Sequence, residues 1–178
     1  MSFVKDSYNT KIAKDLKEKF KFSNDLQIPK LDKVCLNVAF RGADVDNNFV
    51  QYVLETLSRI AGQKAVIVKA KKSIATFKVR EGMNIACRVT LRKNKMYEFL
   101  DRLVYIALPR IKDFRGLSPK AFNQSDHYTF GIKEHTIFPE VELDKLVRVF
   151  GMDINIVSNA KNREEALALL KGLNFPIK

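Results

Sequence analysis

Between Ile85 and Arg92 the residues alternate without a break: Ile85, Cys87, Val89 and Leu91 are apolar, and Ala86, Arg88, Thr90 and Arg92 are not. A period of two is the signature of a strand with one face to bury. The opposite face, made of small, polar and cationic side chains, cannot join a hydrophobic core. A fold built on this strand therefore leaves that face open, and the open face suits a polyanion. The strand ends a basic stretch, Gly62 to Lys95, which after Gly62 holds ten Lys or Arg and a single acid, Glu81.

The charge excess extends to the whole chain of 178 residues, at +12 with a pI of about 9.7. Such an excess repels itself unless something neutralises it. Nucleic acid is the commonest counter-charge, an anionic membrane surface the next. Hydrophobic residues make up 46%, enough for a full core and against global disorder. No apolar run approaches the roughly 20 residues of a membrane span, so no membrane is expected as partner. Lys5 and Asp6 sit where a signal peptide would be apolar. Cys35 and Cys87 are far apart and in no C-x-x-C pair, which predicts two buried thiols in a reducing compartment.

Tyr8, Ile12, Leu16 and Phe20 recur four apart, with lysines between them. This predicts an amphipathic N-terminal helix over about 6–22, starting near Asp6 or Ser7. Leu31 to Phe40 reads as a strand with Val34, Leu36, Val38 and Phe40 on one face and Cys35, Asn37 and Ala39 on the other. Asp44 or Asp46 is placed to cap a helix carrying Phe49, Val53, Leu57 and Ile60, which Gly62 ends. Three strands are expected next, Ala65–Ala70, Ile74–Arg80 and Ile85–Arg92, with Lys71-Lys72-Ser73 as a projecting basic turn. Asn94 is expected to cap a helix that ends at Pro109. Asn123 to Thr129 reads as a polar loop, Phe130 to Glu142 as too broken for a central strand, and Asp144 to Phe150 as a short helix. Asp153–Ser158 is a final strand. Asn162 and Glu165 form a capping-box pattern before a helix over Arg163–Lys171. The order predicts one α+β domain over 1–178, its core about 25–178. Its layers are two: helices packed on one face of a largely antiparallel sheet, and the other face open for RNA.

Catalytic patterns are hard to find. There is no Walker-type G-x-x-x-x-G-K, no G-x-G-x-x-G and no G-x-S-x-G. The two histidines, His127 and His135, lie in the irregular region, and no metal ligands stand at a usable spacing. The expectation is a protein that is not an enzyme and has no cofactor or metal. The RNA-binding candidates are Lys64, Lys69, Lys71, Lys72, Lys78, Arg80, Arg88 and Arg92 for phosphates. Asn37, Gln63, Ser73 and Thr90 add hydrogen-bonding groups, which can read base edges or 2′-hydroxyls where charge alone cannot. No aromatic pair lies on the open strand face, which points to a folded, helical RNA rather than a single strand. Two other classes stay open: a free-standing factor binding tRNA or double-stranded RNA, and an RNA-modifying enzyme.

The stretch G-Q-K-A-V-I-V-K-A-K-K-S-I-A-T-F-K-V-R at 62–80 resembles the signature of the large-subunit ribosomal protein five family, the 5S rRNA-binding proteins. So do C-R-V-T-L-R at 87–92, P-R-I-K-D-F-R-G-L-S at 109–118, I-F-P-E at 137–140 and G-M-D-I at 151–154. The similarity runs nearly end to end and looks like the bacterial and organellar form. It implies binding of 5S rRNA and large-subunit rRNA, with Asn37, Gln63 and Thr90 matching family positions on the sheet face. It further implies a place in the central protuberance beside neighbouring 5S rRNA-binding proteins, and a bridge to a small-subunit head protein. The loop at about Lys71–Lys78 would approach the peptidyl-site tRNA. The implied location is a bacterial cytoplasmic ribosome, or a mitochondrial one if the chain is organelle-encoded. Departures from the family pattern are Ala39 and Arg41 in place of glycines, Val68 in place of a small hydroxyl residue, Phe150 in place of Arg, and F-N-Q-S-D-H-Y at 122–128, where contacts carry over least.

Overall fold

A computed structural model describes residues 2–40, 46–123 and 126–178. Arg41, the alternative cap Asp44 and positions 124 and 125 of the divergent loop lie outside the described residues. The chain is α+β, with a five-stranded antiparallel sheet in the order β2-β3-β1-β5-β4. The strands are β1 (Leu31–Ala39), β2 (Val66–Lys69), β3 (Asn84–Leu91), β4 (Tyr128–Ile132) and β5 (Met152–Ser158). The helices are α1 (Phe3–Ser7), α2 (Ala13–Phe20), α3 (Asn47–Ala61), α4 (Lys93–Arg102) and α5 (Arg163–Gly172). The described residues fall into two compact units, one of residues 2–34, 92–130 and 155–178, the other of 35–91 and 131–154.

In the first unit the N-terminal helix begins earlier than expected. Ser2 is the cap, its hydroxyl accepting from Lys5 N, so α1 opens at Phe3 rather than near Asp6. A π-helical turn, Tyr8–Ile12, joins α1 to α2, and Lys21 at φ +54 ends the run. Asp101 Oδ1 accepts from Val4 N at 2.9 Å, tying α1 to α4. Asn94 does not cap α4. The capping position is Arg92, which supplies no side-chain bond, and Asn94 Oδ1 instead accepts from Lys5 Nζ at 2.9 Å. Met96, Phe99, Leu100 and Leu103 are buried, as their spacing demands. At α5 the capping box does not form: Glu165 Oε2 accepts from Lys161 N, one residue before the cap position, and Asn162 makes no side-chain cap.

In the second unit Asp46 is the helix cap, its carboxylate accepting from Asn48 N, and Gly62 at φ +62 closes α3. Val50, Val53, Leu57 and Ile60 are buried and α3 packs on β3, whose Cys87, Val89 and Leu91 are also buried. Ile74–Arg80 is not a strand. Ile74 and Val79 form one isolated bridge around a 3-10 turn, Ala75–Phe77, with Lys78 at φ +52. Left-handed backbone at Lys78 cannot belong to an extended strand. The polar loop expected up to Thr129 and the irregular segment after it hide β4, which sits at the edge of the sheet. The short helix expected over 144–150 reduces to a single 3-10 turn at Leu143–Lys145. Gly151 is required here: a Cβ on it would meet the Ile132 carbonyl at 2.8 Å.

Candidate nucleic-acid interface

The β1 and β3 segments of the second unit carry the centre of the surface. Phe40 N donates to Ile85 O at 2.8 Å, and Cys35 Sγ lies 3.7 Å from Thr90 Oγ1. Both pairings belong to one antiparallel register, in which Asn37 stands opposite Arg88 and Ala39 opposite Ala86. Asn37 and Thr90 are half-buried and Arg88 is exposed, whereas Leu36, Val38, Cys87, Val89 and Leu91 are buried beneath them. The alternation therefore resolves into a core face and an open face.

The pairing of β2 with β3 widens that face. Val66 pairs with Arg88 and Val68 with Ala86, so both valines share the open side, and Val66 is 65% exposed. The strip running from β1 to β2 is amide, guanidinium and then apolar: Asn37, Arg88, Val66. The two valines were not foreseen as part of the surface, because β2 reads as a continuous apolar run with no alternation to assign its faces. A bulge between Val68 and Lys69 then shifts the register, and Lys69 pairs with Asn84.

Gln63, just past the end of α3, is half-buried and its Nε2 donates to the Thr90 carbonyl at 3.2 Å. Gln63 and Thr90 are thus held together by a bond to the strand itself. Lys64 is exposed in the turn between α3 and β2.

Beyond the bulge the chain forms a hairpin arm. Its base is closed by Ala70 N to Met83 O at 2.8 Å and Gly82 N to Ala70 O at 3.0 Å. Ser73 Oγ accepts from Glu81 N at 2.9 Å, so its hydroxyl braces the arm. Two backbone bonds join Ile74 and Val79, and Lys78 N donates to Ala75 O at 3.0 Å. Lys71, Lys72, Lys78 and Arg80 are all exposed along this arm. Of the expected residues, the second unit thus contains Asn37, Gln63, Lys64, Lys69, Lys71, Lys72, Ser73, Lys78, Arg80, Arg88 and Thr90. Arg92 is exposed in the first unit, at the start of α4.

The surface offers cations, amides and hydroxyls, groups suited to a polyanion. Among the described residues no group of three His, Cys, Asp or Glu could hold a metal ion, and no helix is long and apolar enough to cross a membrane. Burial pushes the Cys87 thiol up to about 11, which keeps it protonated.

Residues 24–80 match the family model described as ribosomal protein L5, and residues 84–177 match the model for the C-terminus of the same ribosomal family. The chain belongs to the ribosomal protein L5 family. A curated relative, the large ribosomal subunit protein uL5 of Wolbachia pipientis subsp. Culex pipiens (strain wPip), is 52% identical over 172 residues, which is 97% of each chain. The two family models cover all twelve expected residues between them, Asn37 to Arg80 in one and Arg88 to Arg92 in the other.

Proposed function

We propose that this chain is a structural constituent of the large ribosomal subunit that binds 5S rRNA through the open face of β1 and β3. It works by docking and not by catalysis. The observation that carries the reading is the register that sets Asn37 opposite Arg88 and Thr90 beside Cys35, on a face whose reverse side holds the buried Leu36, Val38, Cys87, Val89 and Leu91. Phosphates meet the cations, and the amide and hydroxyl meet base edges or 2′-hydroxyls. The Wolbachia relative, named for the large subunit, supports the setting. In this reading the protein acts in a cytoplasmic ribosome, helps build the central protuberance and takes part in the bridge to the small-subunit head. Its basic hairpin faces the peptidyl-site tRNA.

The test is affinity for 5S rRNA against a tRNA across a salt series. Wild type prefers 5S rRNA, and the preference persists at high salt. Asn37→Ala and Thr90→Ala each weaken 5S rRNA binding by about 1–2 kcal/mol, the worth of a lost hydrogen bond, with unchanged melting temperature. Equal, steeply salt-dependent binding to both RNAs would replace this reading with a free-standing RNA-binding factor.

A further inference from the structure

The first unit carries a groove that takes no part in the proposed RNA surface. The N-terminal helical run, from the π-helical turn at Tyr8–Ile12 through α2, packs beside α5, and between them lies a groove of about 840 Å³. Leu16, Phe20, Leu167 and Ala168 line its floor. Phe20, Leu167 and Ala168 are only half-buried, so part of this floor is apolar surface left uncovered. Gly172 marks one end: a Cβ there would meet Ile12 Cγ2 at 2.9 Å, so glycine lets α5 come this close. From Ile12 to Phe20 the groove runs about 12 Å, a little over two helical turns. Its rim is charged. Lys11, Asp15 and Lys19 stand one turn apart on one wall, and Glu164 and Lys171 line the other. All five are exposed, and none is in an ion pair among the described residues.

We propose that this groove docks an amphipathic helix of a partner protein, one with an apolar stripe two turns long and mostly acidic flanks. An apolar floor with a polar rim is the form of a protein-docking surface. Charge complementarity selects the occupant. Three cations outnumber two acids at the rim, and the +12 charge of the chain draws acidic partners from a distance. RNA feels the same field, but Asp15 and Glu164 repel its phosphates, and an apolar floor offers a phosphate no counter-charge. A second copy would bring another +12 to the same face. A helix with leucines at i, i+4 and i+7 fills the floor, and acids beside that stripe meet Lys11, Lys19 and Lys171. None of the expected RNA-binding residues lines the groove, so the inference goes beyond the RNA reading and does not depend on it.

The full-length protein would be titrated with a synthetic helical peptide that carries Leu at i, i+4 and i+7 between glutamate flanks. Two controls accompany it: the same composition in scrambled order, and the ordered stripe with lysine flanks. Wild type should bind the ordered acidic peptide roughly 10-fold more tightly than the scrambled one, a difference that charge alone cannot make. It should bind the lysine peptide more weakly still. A Lys11→Glu/Lys171→Glu double variant should narrow the gap between acidic and lysine peptides roughly 10-fold. The same change of net charge on the hairpin arm, Lys71→Glu/Lys72→Glu, should narrow it far less. The ordered peptide should move the NMR methyl signals of Leu16, Leu167 and Ala168 and leave those of Val66 and Val68 in place. Equal binding of ordered and scrambled peptides, or equal effects of the two double variants, would overturn the proposal. A dimer of the free protein that the peptide dissociates would assign the groove to a second copy instead, and Leu16 and Leu167 signals moved by 5S rRNA would assign it to RNA. Thr90→Ala, on the sheet face, should leave peptide affinity unchanged, so the groove and the sheet-face reading fail on different variants.

Discussion

His135 is fully buried, and every polar atom of its ring is engaged. Nδ1 lies 3.3 Å from both the backbone N and the carbonyl O of Phe150, and Nε2 lies 3.1 Å from the Tyr52 hydroxyl. The ring stacks on Phe150 at 3.8 Å and 8°. Burial lowers its pKa from the ordinary 6.5, partly opposed by the Phe150 carbonyl. The sign follows directly: the unfolded chain takes up a proton as pH falls through about 6.5, the folded chain only at lower pH, so acid favours unfolding. Stability should therefore fall as pH drops from about 7 to about 5, and His135→Gln should flatten that slope while costing about 1–3 kcal/mol at neutral pH. Denaturant midpoints over that range check it. None of this was legible in the sequence. A histidine between Glu134 and Thr136 looks like a loop residue, and its partners Tyr52 and Phe150 are remote in the chain. Asn37 and Thr90, by contrast, were placed correctly because alternation in β1 and β3 leaves each residue only two sides to face.

At the scale of elements, the hairpin arm shows where sequence reading stops. An alternating strand over Ile74–Arg80 would turn Ala75, Phe77 and Val79 to one side. The chain instead reverses at Lys78, a left-handed position with no Gly or Asn to announce it. The arm is held by Ser73 Oγ and backbone bonds, which no periodicity encodes. Ser73→Ala should loosen it by about 0.5–1 kcal/mol, at the low end because water can replace the lost acceptor for Glu81 N. Amide exchange within 71–82 should quicken while exchange in β3 and α3 stays unchanged. The segment 144–150 misled differently. Leu143, Leu146 and Val147 would share one side of a helix, yet all three are exposed, so no buried face stabilises one. Elements with a core to face, β1, β3, α3 and the α4 stripe, were legible; β4, with Gly131 inside it, was not.

For the whole molecule the governing quantity is the charge of +12. Each phosphate neutralised adds about −0.9 to the slope of log affinity against log salt. A Lys71→Ala/Lys72→Ala double variant should lower the magnitude of that slope by about 1–2 and weaken 5S rRNA and tRNA alike. Thr90→Ala should lower affinity for 5S rRNA alone and leave the slope unchanged. A titration of the three proteins at several salt concentrations separates charge from recognition. In the proposed reading charge brings RNA near, and a few neutral groups on the open face decide which RNA stays.

The sheet ends in β2 and β4, four and five residues long, and β2 is interrupted by its bulge. Edges this short give another chain little to pair with. A protein that must wait for its RNA spends that interval among identical copies, at the highest risk of sticking to them. The blunt edges and the mutual repulsion of +12 chains protect the waiting protein together. Once RNA cancels the repulsion, strand ends alone remain to refuse a neighbour, so the brevity of β2 and β4 matters most in a half-neutralised, half-assembled particle.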